Sequence, residues 1–158
     1  MIKLNSKILY FFILMILFKT QNFLYGSSEV KIVNKINNEI ITNFDVEKEY
    51  YYLIALNNEL KQIPKNEALT IAKNSLIREK IKTSELKKFY SLENFNKYEY
   101  LNSVFQSFYK KLNISSEQEF QNYLNTFDLT IDEVKDKIKL EILWNQLIGV
   151  KFKDQINI

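Results

Sequence analysis

Three carboxylate pairs are the closest this sequence comes to acid–base chemistry: Asp132/Asp136, Glu117/Glu119 and Glu47/Glu49. A general acid and a general base have to reach one reacting bond from fixed positions. Only Asp132 and Asp136, spaced i,i+4, share a face on a helix; the other two pairs point apart. The remaining chemistry is thin. The chain has no histidine and no cysteine, so a Ser hydroxyl has no neighbouring base and a zinc ion lacks its usual ligands. Gly26 and Gly149 are the only glycines, which excludes a glycine-rich phosphate loop. The carboxylates therefore read as solvated surface, and no catalytic, cofactor or metal site is expected.

What the sequence does supply is apolar and aromatic surface. Seventeen aromatic residues follow residue 28. A small domain has difficulty burying them all, and exposed apolar patches mark binding surfaces. The expected architecture is mainly α, a bundle of about five helices behind a small N-terminal β-hairpin. Ile32, Val33 and Ile36 lead into Asn37-Asn38-Glu39, and Ile40-Ile41 follow, which reads as two short strands around a tight polar break. Asn suits that break because it tolerates positive φ. Thr42 and Asp45 then form a relative of the capping box and open the first helix.

The first helix is expected over Asn43 to Lys61, with Val46, Tyr50, Leu53, Ile54 and Leu60 inward. Pro64, the only proline, breaks the chain. A second helix starts near Asn66 or Glu67 and runs toward Tyr90, with Thr83-Ser84 as a point where it bends or ends. Ser91-Leu92-Glu93-Asn94 is the next break. Tyr98, Leu101, Phe105, Phe108 and Leu112 step by 3, 4, 3 and 4 and give the most regular seam, broadened by Val104 and Tyr109. Asn113-Ile114-Ser115 ends it. Ser116 with Glu119, and Thr130 with Glu133, are two capping boxes that open a short helix and the last helix. The last helix carries two stripes, Ile131/Val134/Ile138/Ile142 and Leu140/Leu143/Trp144/Leu147, so it needs partners on two sides. Gly149 ends or loosens it, and Val150, Phe152, Ile156 and Ile158 keep the even spacing of a short C-terminal strand or extended tail.

Met1–Ser28 has the pattern of a secretory signal peptide. Lys3 and Lys7 precede the apolar run Ile8–Phe18, and Gly26 and Ser28 stand at −3 and −1 if cleavage falls between Ser28 and Glu29. Eleven residues at 1.5 Å each span only about half of a ~30 Å hydrocarbon core. The alternative is an uncleaved N-terminal anchor extended by Phe23, Leu24 and Tyr25. The net charge of +3 comes entirely from Lys3, Lys7 and Lys19, and residues 29–158 balance 19 basic against 19 acidic groups. A neutral body argues against nucleic acid and against a polybasic membrane surface. Without cysteine, an exported domain must hold together by its core alone.

The run from Val33 to Val46, VNKINNEIITNFDV, resembles the start of the mature SurA-type periplasmic chaperones. Their pattern there is an apolar pair followed by V-N-x-x-x-I-(T/L)-x-x-D-V. The later helices follow that family in order and length, so the resemblance covers Val30 to Ile158. It implies an ATP-independent periplasmic chaperone domain, residues 29–158, that holds unfolded outer-membrane or other envelope proteins. In that family parvulin-type prolyl isomerase domains follow, and a final helix packs back on the N-terminal part. No residue here matches a parvulin motif, so isomerase activity is not carried over and the chain is not expected to be an enzyme. The surface covered by the returning helix would be exposed, closed by a homodimer, or filled by a second chain. Two other readings stand beside this one: the front of a longer prolyl isomerase, and a helical dimerisation or assembly domain. Tyr51, Tyr52, Phe108 and Tyr109 sit at stripe edges, where they are least needed inside, and are the rings expected to touch an unfolded client. No small-molecule substrate is expected.

Overall fold

A computed structural model describes residues 29–90 and 98–153. The expected signal segment, the break at 91–94, Ile156 and Ile158 lie outside the described residues. The fold is mainly helical with a two-stranded antiparallel hairpin at its front: β1 Ile32–Ile36, β2 Glu39–Thr42, α1 Asn43–Leu56, a 3-10 turn Asn58–Gln62, α2 Lys65–Leu86, α3 Tyr98–Lys111, α4 Glu117–Asn125 and α5 Ile131–Lys151. Among the described residues no helix is long and apolar enough to cross a membrane.

Local chemistry fixes most of the joints. Asn37 turns the hairpin at φ 53°, a conformation that Asn adopts more cheaply than most residues. The Thr42 hydroxyl accepts from the Asp45 N–H, and the Asp45 carboxylate accepts from the Thr42 N–H at 2.7 Å. A complete capping box thus sets the first turn of α1 directly on the end of β2. Thr130 and Glu133 make the same reciprocal pair at the start of α5. At Ser116 the box is only half formed. The Ser116 hydroxyl caps α4, but the Glu119 carboxylate accepts from the Ser115 N–H at 3.0 Å, one residue earlier than expected.

The ends of α3 and α4 share one device. Asn113 and Asp128 both take positive φ, 61° and 57°. The N–H after each reaches back five residues, Ile114 to the Tyr109 carbonyl and Leu129 to the Leu124 carbonyl. These are Schellman closures, in which a left-handed residue frees the next side chain to pack against the helix just finished. Ile114 and Leu129 are both buried. Each closure then runs into the cap of the following helix.

Several boundaries differ from the sequence reading. α1 stops at Leu56, because the Asn57 side chain caps the 3-10 turn that follows by accepting from Glu59 N–H. Gly149 does not end α5, which continues through Val150 to Lys151, with Phe152 as its cap. The expected C-terminal strand is therefore absent at Val150 and Phe152. A glycine costs helix stability without forbidding helix, and Ile148 still accepts from the Phe152 N–H.

Two apolar clusters hold these elements. The smaller joins the hairpin to α1 and α2 through Ile41, Val46, Ala72 and Leu76. The larger joins α3, α4 and α5 with the far ends of α1 and α2, and centres on Phe105, Tyr109, Phe120, Leu124 and Val134. Phe120 lies with its ring centre 5.6 Å from both Phe105 and Tyr109. The Tyr123 hydroxyl donates to the Ala55 carbonyl at 2.8 Å, which ties α4 to the end of α1.

Candidate functional site

One polar junction interrupts this packing, and it lies where α1, α2 and α5 meet. Glu49 falls on the inward face of α1, three residues after the buried Val46, and is only 3% exposed. Lys137 of α5 follows Val134 by the same three-residue step. Its ammonium donates to the Glu49 carboxylate at 2.7 Å and also to Glu79 of α2. Burial pulls the Lys137 ammonium toward the neutral form, but Glu49 and Glu79 outweigh it and hold its pKa above the ordinary lysine value. The ammonium also sits 4.7 Å from the centre of the Tyr52 ring. Burial, with the charges of Glu49, Glu79 and Glu141 behind it, pushes the Tyr52 phenol well above its usual range. The junction thus joins α1, α2 and α5 through one shared cation.

The junction forms one end of a cleft of about 400 Å³. Tyr52 closes that end. One wall is α2, with Ser75, Arg78, Glu79 and Lys82; the other is α3, with Tyr100, Val104 and Phe108; the floor is α5, with Ile138, Leu140, Ile142 and Asn145. Lys82 is held across the cleft by both oxygens of Glu141, at 2.5 and 2.7 Å, and lies 5.8 Å from the Trp144 ring. Arg78 is exposed and makes no ion pair among the described residues. The cleft is therefore apolar at Val104, Phe108, Ile138, Leu140 and Ile142 and hydrogen-bonding along α2 and at Lys137, Glu141 and Asn145 of α5. An extended polypeptide has the same two-sided character, with apolar side chains and unpaired backbone groups.

The four rings singled out from sequence separate in space. Tyr52 and Phe108 line this cleft from opposite elements. Tyr51 is exposed on the far side of α1 and touches only Tyr50 among the aromatic rings described. Tyr109 is not at an edge. It is 6% exposed and packs edge-on against Phe105. The buried stripe of α3 runs Leu101, Phe105, Tyr109, in steps of four, so Phe108 rather than Tyr109 is rotated toward the cleft. Sequence reading missed Glu49, Glu79 and Lys137. The available signal was spacing: Glu49 and Lys137 each stand three residues after an apolar stripe residue, Val46 and Val134.

The three carboxylate pairs lie in different surroundings, and Glu49 is buried rather than the solvated surface expected. Glu47 pairs with Lys65 while Glu49 turns inward. Glu117 pairs with Lys135, and Glu119 supports the turn before α4. Asp132 and Asp136 are exposed on α5. No protein-family model matches the chain, and no curated protein or solved structure matches it.

Proposed function

We propose that this chain is an exported, ATP-independent chaperone domain of the SurA type, which holds extended apolar and aromatic segments of unfolded envelope proteins in the α2–α3 cleft. The observation that carries the reading is the cleft itself. It is open, apolar at Val104, Phe108 and Ile142, and lined on α2 and at Asn145 of α5 by side chains that bond backbone groups. The leader-like Met1–Ser28 and the resemblance of Val33–Val46 to the start of those chaperones support it. In this reading the chain works by contact alone. Client side chains pack on Val104, Phe108 and Ile142, and the backbone of the client is met by Ser75, Arg78 and Asn145.

The test is suppression of aggregation. An outer-membrane protein diluted from urea scatters light within minutes, and the chain in several-fold excess should delay that rise. Phe108→Ser should abolish most of the delay while leaving the far-ultraviolet circular dichroism unchanged, since Phe108 is only half-buried. Equal scattering with and without the native chain would rule the reading out.

A further inference from the structure

A second surface lies on the hairpin and shares no residue with the cleft. Residues opposed across an antiparallel pair lie on one face of the sheet. The pairs Asn34–Ile41 and Ile36–Glu39 face inward, and Ile41 is fully buried there against α1 and α2. The pairs Lys35–Ile40 and Ile32–Thr42 face outward, and the irregularity between Ile32 and Asn34 turns Val33 out as well. Ile32, Val33 and Ile40 are 67%, 42% and 48% exposed. Val30 and Phe44 are exposed as well, and the Asn43 N–H donates to the Lys31 carbonyl.

Two features say what this face meets. Its charge is positive: Lys35 points outward and makes no ion pair among the described residues, while the acidic Glu39 is drawn to the inner side by Lys80 and Lys87. Lys31 stands beside it, held only by an exposed contact to Glu29 at 3.6 Å. The second feature is what precedes it in the chain. The apolar run Ile8–Phe18 ends ten residues before Glu29, and that many residues reach at most about 40 Å when extended. Where this run is retained as the N-terminal anchor, the alternative to cleavage after Ser28, it keeps the hairpin within reach of the bilayer surface.

We propose that the outward face of the hairpin lies on an anionic phospholipid surface, with Ile32, Val33 and Ile40 entering the interface and Lys31 and Lys35 meeting headgroups. This is not a polybasic patch. The apolar side chains hold the face down, as in an interfacial amphipathic helix, and the two lysines select the lipid. Addition of another strand at the edge is a poorer fit, because the irregularity at Val33 breaks the register and lysine is the common guard of an open edge. The cleft is lined entirely by helices, so the proposal stands apart from the chaperone reading and both surfaces can be occupied together.

The absence of cysteine makes the test direct. Val33→Cys, Ile40→Cys and, as control, Asn122→Cys on the exposed side of α4 are each labelled with a polarity-sensitive dye in the full chain. The chain is then reconstituted into vesicles of phosphatidylcholine with one-third phosphatidylglycerol. Iodide quenching should fall several-fold at residues 33 and 40 and stay unchanged at 122. Lys31→Glu with Lys35→Glu should restore most of it. Equal quenching at all three positions in protein-bearing vesicles overturns the proposal. Shielding that arises without lipid and grows with protein concentration assigns the face to a second copy and overturns it too. Shielding indifferent to the charge reversal overturns the anionic assignment.

Discussion

The two sides of α5 solve opposite problems with similar residues. On the side of α4, Phe105, Tyr109, Phe120 and Leu124 form a dry cluster in which Phe120 and Leu124 are fully buried. On the side of α1 and α2, Tyr52 and Phe108 stand around an ion cluster and an open cleft. Aromatic rings in the first region pack on one another, with the Lys135 ammonium 4.5 Å from the centre of the Phe105 ring. Those in the second have one face on the core and one toward solvent. Composition alone counts all of them together, so the aromatic surplus of the sequence overstates what is left for binding. The contrast also assigns separate variants to separate effects: changes in the first region should cost stability, and changes in the second should cost binding.

The largest effect is expected in the dry cluster. Phe120→Ala removes the ring that contacts both Phe105 and Tyr109 and should lower stability by about 3–5 kcal/mol. Thermal unfolding followed by circular dichroism reads this directly. If it melts like the native chain, the centre of the core has been misplaced.

Next comes the ion cluster. Lys137→Met leaves Glu49 buried with no cation, and removing one partner of a fully buried pair costs about 3–5 kcal/mol. Lys137 is 23% and Glu79 29% exposed, so water screens part of this, and a loss of about 2–3 kcal/mol is expected. Glu49→Gln added to Lys137→Met should recover much of it. A deficit untouched by Glu49→Gln would mean that the pair is not what joins the three helices.

The difference between the regions also explains what could be read in advance. The hairpin, the caps at Thr42, Ser116 and Thr130 and the two-sided character of α5 depend on neighbours within about four residues, so type and spacing reveal them. The Glu49–Lys137–Glu79 cluster joins residues 88 and 58 positions apart, and nothing local pairs them. Glu49 read as solvated surface beside Glu47, whereas it is buried. Phe108 and Tyr109 were separable only by the phase of α3, and steps of 3 and 4 fit the sequence as well as steps of four. The packing of Phe120 against Tyr109 selects the second. Asn113 was legible as a break and Asp128 was not, and the role of both in turning Ile114 and Leu129 inward depended on φ values that sequence does not print.

A smaller change sharpens the boundary between the two regions. Thr130→Ala removes the hydroxyl that caps α5 and should cost about 1 kcal/mol. Ser at the same position should recover nearly all of it, since it keeps the oxygen that accepts from the Glu133 N–H. Urea unfolding of both variants provides the comparison, and a loss equal for Ala and Ser would place the effect in the threonine methyl instead of the cap.

The smallest effect concerns Glu133, which belongs to that cap and also reaches Lys48 of α1. Desolvation raises its pKa, but the Lys48 bond and the bonds from the Thr130 N–H and hydroxyl outweigh it and leave the carboxyl below its ordinary value of 4.5. A carboxyl depressed in the folded state contributes stability that is present above the unfolded pKa and disappears as pH falls through the folded one. The native chain should therefore lose this contribution below about pH 4.5, whereas Glu133→Gln should show it already missing at pH 7 and a shallower decline in acid. Glu39, lowered first by its Lys80 hydrogen bond against the pull of desolvation, adds to the same slope in both proteins and cancels in the comparison. The difference should be well under the effect of Lys137→Met, because Lys48 and Glu133 are open to water and an exposed pair contributes about 0–1 kcal/mol. Equal slopes for the native chain and Glu133→Gln between pH 5 and pH 3 would show that the link between Lys48 of α1 and the start of α5 carries no stability.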